Sequence, residues 1–294
     1  MNTRIVIVLS VLAIAGILSG LAYRAHSRQV ELQARALAEA QYQNDELGVV
    51  EAEAHRVLDA AAAAASAASQ GDPASCAAAF YELARNASFF AGLTAFDRAG
   101  NPVCIGPATW LRHVDERLLQ RSLETGDFVT GEHTMADTIS KKVLPFAEPF
   151  YDKDHRPIGV VVTMIELDRL ARRLARNWHI EDSIITVADR SANILVRLPN
   201  SASWVGRRLP DELASVVNEP HAGTLRIPAG DRVEAIGYVP GPVPPRDLFV
   251  SVGVQTPSVL GEIKRALRRS VMPVTLVLLA AGLLLVLLPQ RSSE

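Results

Sequence analysis

Between Trp110 and Phe146 eight side chains stand out as ones that could hold a small polar ligand. Arg112, Arg121 and Lys142 are cationic, Asp115 and Glu132 anionic, and Trp110 and Phe146 aromatic, with His133 among them. These are the contacts that a pocket for a small polar or carboxylate molecule needs. Taken singly, each charged residue reads more simply as a solvated helix-face group, because period alone does not orient it; the region as a whole is the expected site. Covalent chemistry finds no comparable set. There is no HExxH, no GxSxG elbow and no phosphate-cradling glycine loop, and the seven histidines fall at no ligand spacing. The two cysteines form no CxxC, so a structural zinc site is not expected, and neither a catalytic residue nor a cofactor is expected. Asp97 and Asp189 read as turn residues, with metal binding at either turn as the alternative.

Thirty Lys plus Arg against 32 Asp plus Glu leave a formal charge of −2, which gives no electrostatic reason to expect a nucleic-acid partner. Hydrophobic residues make up 49% of the chain, and they gather at its ends. Residues 5–23 and 271–288 are each uncharged and about long enough to cross a hydrocarbon core, which predicts two transmembrane helices in a lipid bilayer. A cleaved signal peptide is the alternative for the first, a buried core helix for the second. Arg24, Arg28, Arg35, Lys264, Arg265, Arg268 and Arg269 flank the inner side of this pair, against the positive-inside expectation. Long domains, however, cross largely regardless of charge, and the expected place of the central region is the periplasm, at a bacterial inner membrane.

Residues 24–70 hold one glycine and no proline, which predicts a helix of about 70 Å continuing from the first span. Along it Ala40, Gln43, Leu47, Val50, Ala54, Val57, Ala61, Ala64 and Ala68 form a heptad-like seam. The seam reads first as a face packed on its own domain and second as a homodimer seam. Gly71-Asp72-Pro73 ends the helix, and a shorter one is predicted over 74–86. An internal repeat follows. The segment from Gly92 to Cys104 matches the segment from Ile184 to Val196 around a shared Asp-Arg-x-x-Asn turn, 92 residues apart. Each copy reads as strand, turn, strand, and each is followed at a similar distance by a final apolar strand. The predicted class is therefore α+β: a long helix and two tandem modules with antiparallel sheets, over 71–166 and 178–255, joined by an amphipathic helix over 167–177. Further helices are predicted over 110–123 and 210–218, and a return helix over 256–270 leads to the second span.

This order of parts resembles the double Cache, or tandem PAS-like, sensor domains of bacterial membrane receptors. FDRAGNPVC, PFYDKDHRPIGVVVTMIELDRL, TVADRSANILVRLPN with WVGRRLP, and DLFVSVGV carry the resemblance across most of residues 30–270. It implies binding rather than catalysis, with a small-molecule ligand on the concave face of the first, membrane-distal module. That face would be roofed by the helix over 110–123 and the loop over 128–142. It also implies a disulfide between Cys76 and Cys104, against two small buried hydrophobes in a reducing compartment. Six residues follow Leu288, so the output expected of such a receptor would lie on a signalling partner protein. A non-signalling binding or scaffold protein and a truncated receptor are the alternatives.

Overall fold

The computed structural model describes residues 3–69, 73–87, 89–106, 113–136, 141–176, 178–180, 182–229, 232–241 and 248–257. The first two residues of the return helix expected over 256–270 are strand instead, and the rest of it and the second span fall beyond these. The expected first span lies in a stretch whose backbone is helical but whose side chains are mostly outside the description. Among the described residues no helix is long and apolar enough to cross a membrane.

Helix α1 runs over Thr3–Ser69, α2 over Pro73–Asn86, α3 over Glu116–Thr125, α4 over Leu167–Arg176 and α5 over Asp211–Ala214. The strands are β1 Leu93–Asp97, β2 Pro102–Ile105, β3 Val129–Thr130, β4 Thr134–Ala136, β5 Lys141–Tyr151, β6 Pro157–Glu166, β7 Ser183–Ala188, β8 Ile194–Leu198, β9 Gly223–Ala229, β10 Arg232–Val239 and β11 Phe249–Pro257. They form two antiparallel sheets, ordered β2-β1-β6-β5-β3, with β4 also on β5, and β8-β7-β11-β10-β9. With the short β4 left aside, both orders, counted within each module, are second, first, fifth, fourth, third. The duplication visible in the sequence is thus a duplication of topology. It extends to the irregularities: the first hairpin slips register between Ala95 and Phe96, and its counterpart slips between Val187 and Ala188, 92 positions on.

The chain falls into two compact units. The larger comprises Ala34–Leu225 and Ile236–Val254; the smaller takes in α1 through Gln33, Arg226–Ala235 and the residues from Gln255. In the smaller, the Arg226 guanidinium donates twice to Gln33 Oε1, at 3.2 Å each.

In the larger unit, α1 buries its small-residue seam against the chain itself. Ala40, Gln43, Leu47, Val50, Ala54, Val57 and Ala61 are all buried, and Ala64 and Ala68 pack beside them. A helix of alanines lets the backbone approach a sheet closely, and large residues from the sheets fill the gap: Leu144, Phe146, Phe150 and Ile165 from the first, Leu195 and Val250 from the second. The seam is therefore packed within its own domain, the first of its two readings. Helix α4 lays Leu167, Leu170, Ala171 and Leu174 on the same core, while its Arg173 reaches Glu46 and Glu53 of α1 at 3.7 and 4.0 Å. Two predicted helices are shorter than their apolar pattern suggested. The helix expected over 110–123 begins only at Glu116, because Asp115 caps it, and that expected over 210–218 is the single turn of α5.

Candidate functional site

Beneath α3 the first sheet is covered by apolar packing. The Asp115 carboxylate accepts from the Arg117 and Leu118 N–H groups, at 2.8 and 3.2 Å, which satisfies the helix start and explains an aspartate there. Gly126, with φ +66°, ends the helix in the left-handed conformation. Between these caps, Leu118 and Leu119 press onto Phe96, Val129, Ala147, Val160 and Val162. Arg121 lies across the outer edge, donating to the Thr130 carbonyl at 3.3 Å. Phe146 is fully buried on the opposite, α1 side, stacked on Phe128 and edge-on to Phe90. Trp110 and Arg112 lie outside the described residues.

Glu132, His133 and Lys142 are brought together, but toward the second module. Ser191 Oγ donates to Glu132 Oε1 at 2.8 Å, and Lys142 Nζ donates to the Val205 carbonyl at 2.6 Å. His133 Nδ1 stands 3.8 Å from Asp189 Oδ2, an ion-pair separation too long for a hydrogen bond. The imidazole lies against Gly206, whose φ of +86° favours glycine and where an added Cβ would sit 3.1 Å from Nε2. Burial alone would raise the Asp189 carboxyl. The His133 imidazole and the Asn193 N–H groups outweigh it and hold the carboxyl below its usual range.

A further group of ionisable residues lies where α1 crosses the first sheet. Glu51, His55 and Asp59 recur every fourth residue on α1, hence along one stripe. His55 Nε2 pairs with Glu148 Oε1 at 3.3 Å, and the Thr130 hydroxyl donates to Glu51 at 3.3 Å. Burial pushes the Glu148 carboxyl up to about 7; His55 opposes this, while Asp59 and Asp127 reinforce it. Sequence reasoning passed over this group, although a charged stripe inside an alanine-rich seam is a signal that could have marked it.

A cavity of about 370 Å³ opens at the corner of α1, α2 and the first hairpin. Its walls are Ala65, Ala68, Val103, Phe150, Ile158 and the Cys76–Cys104 disulfide, with Ser69 and Asp97 as its polar side chains. The disulfide joins α2 to β2 with the two Cα atoms 6.2 Å apart. Among the described residues no group of three or more His, Cys, Asp or Glu is placed to hold a metal ion.

No family model and no curated protein matches this sequence. Solved structures do match. The ligand-binding domain of the Pseudomonas fluorescens chemoreceptor CtaA, in complex with L-isoleucine, superposes with a TM-score of 0.63 at 15% identity, over 79% of this chain and 96% of that one. The ligand-binding domain of the Pseudomonas aeruginosa amino-acid chemoreceptor PctC, in complex with GABA, gives 0.55 at 15% identity, over 78% and 100%. An extracellular ligand-binding receptor from Desulfohalobium retbaense gives 0.61 at 16% identity over 75% of this chain, which spans 40% of that receptor's length. With its long helix and two duplicated sheets, the chain has the Cache-like fold of the extracellular ligand-binding domains of bacterial receptors.

Proposed function

We propose that this chain is a periplasmic sensor, held at the inner membrane by residues 5–23 and 271–288, that binds a small molecule through its first module and acts on a signalling protein in the same membrane. The observation that carries the reading is the fold match over 96% and 100% of the two chemoreceptor ligand-binding domains, with both modules included. The disulfide supports export to an oxidising compartment. The ligands named for those domains make amino acids and related amines the first class to try. In this reading Trp110 and Arg112 are among the ligand contacts of the first module, and Glu132, His133 and Lys142 pass its state to the second. Helix α1, packed on both sheets, carries displacement toward the membrane.

The test is a thermal-shift screen of the full chain in detergent against amino acids, organic acids and amines. A specific ligand raises Tm by a few degrees, saturably, as binding to the folded state requires. A flat response overturns the sensor reading in favour of a scaffold. That second reading has one observation behind it: beneath α3 this face is filled by Leu118 and Leu119 packed on Phe96, Val160 and Val162. Crosslinking in native membranes tests the partner. Recovery of a kinase, cyclase or chemoreceptor supports signalling, and recovery of none removes its mechanism.

A further inference from the structure

We infer that the cavity at the α1–α2 corner is a separate small-molecule site, one that takes an aliphatic primary amine, with the hydrocarbon chain against the disulfide, Phe150 and Ile158 and the ammonium group on Asp97. The cavity lies on the α1 side of the first sheet, away from the face roofed by α3, and this assignment does not rest on a ligand there. At about 370 Å³ it falls at the lower end of ligand pockets, which run roughly 300–1,000 Å³, so a chain of a few carbons fits.

Among the described residues, the polar side chains on its wall offer acceptors and no donor. Ser69 spends its hydroxyl proton on the Ser66 carbonyl at 2.7 Å, leaving oxygen lone pairs. Asp97 Oδ1 accepts from the Ala99 and Asn101 N–H groups at 2.9 and 2.8 Å, whereas Oδ2 accepts only from the Asn101 amide, at 3.0 Å. Oδ2 therefore has capacity to spare. The Asn101 amide and the turn's N–H groups hold the Asp97 carboxyl below its usual range, so it is anionic at neutral pH. The turn's own cation is engaged elsewhere, since Arg98 donates to the Pro157 carbonyl at 3.3 Å. An ammonium group has three donors and no acceptor, which matches these groups; a carboxylate would meet only acceptors. In the second module the equivalent Asp189 is buried against His133, and the site has no twin there.

Isothermal titration of the full chain in detergent with hexylamine, hexanoate and 1-hexanol tests this. Hexylamine is expected to bind about tenfold or more tightly than either of the others, the difference one charge-assisted contact makes. Val103→Trp, at a half-exposed position on the cavity wall, and Asp97→Asn, which can keep the turn, should each weaken hexylamine about tenfold. Equal binding of hexanol, or affinity unchanged in both variants, overturns the assignment. Hexylamine binding without any response to amino acids or organic acids would uphold this site while the first-module reading fails.

Discussion

The two Asp-Arg-x-x-Asn turns are the same object in two settings. In each, the aspartate N–H donates to the asparagine carbonyl, at 2.9 and 3.0 Å, and the carboxylate accepts from the asparagine N–H at 2.8 Å. In each, the residue before the asparagine has positive φ, +81° at Gly100 and +63° at Ala192. Their surroundings differ. Asp97 is half-buried at a cavity and the strand after it carries Cys104, tied to α2; Asp189 is 2% exposed beneath His133, and Val196 stands where Cys104 does. A turn is defined by bonds within five residues, so a duplicated segment keeps it anywhere. What the turn faces depends on which distant element arrives, and that is free to diverge.

The largest expected effect comes from making the first module resemble the second. Replacing the disulfide by Cys76→Ala and Cys104→Val should cost about 3.5 kcal/mol in denaturant unfolding, the chain-entropy value for this loop. A loss under about 1 kcal/mol would mean that packing alone holds β2, as it holds β8.

Next comes the pair of aspartates. Asp189→Ala leaves buried N–H groups unmatched and should cost about 2–3 kcal/mol, while Asp97→Ala should cost about 1 kcal/mol or less. The Asp189 carboxyl lies below its ordinary value when folded, so its contribution is present above the ordinary carboxylate range and is lost as pH falls through the folded value. Asp189→Asn should therefore flatten the acid limb of the stability curve. An unchanged acid limb would show that burial cancels the effect of His133 and Asn193 on this group.

Glu148 in the first module has the opposite sign. Its folded value of about 7 lies above the ordinary 4.5, so its contribution is full below 4.5 and is lost as pH rises through 7. Glu148→Gln should match the parent near pH 4 and exceed it at pH 8 by roughly 1–2 kcal/mol, allowing for screening. Parallel curves for the two proteins would remove the carboxyl from the pH response. The smallest effect is at the positive-φ positions: Ala192→Gly should stabilise by about 0.5–1 kcal/mol, and Gly100→Ala should destabilise by about 1 kcal/mol. Calorimetric Tm values of the two variants should move in opposite directions.

Much of the fold was legible because its signals are local. The repeat announced two related sheets, proline and glycine marked the break between α1 and α2, and the alternating seam marked the buried side of α1. The helix starts were less legible. Apolar spacing from Trp110 onward looked helical, but Asp115, through two hydrogen bonds to N–H groups, starts α3 six residues past the expected Trp110. Among the eight expected ligand-binding residues, type alone could not separate Asp115 as a cap and Phe146 as core from Glu132, His133 and Lys142 at the module junction. The cavity was not legible at all, because its walls come from four separated stretches of chain.

By itself, then, the sequence determined the α+β class, the twofold repeat with its turns, and the face of α1 that must be covered. These follow from periods of two and of three to four residues and from side chains that bond their own backbone. Only the tertiary structure decided which of two identical turns is buried, which charges meet across modules, and where a hollow remains beside the disulfide. Such matters depend on contacts between residues some 60 to 90 positions apart, such as Ser191 with Glu132 or Tyr151 with Ser66, whose energies no local pattern encodes.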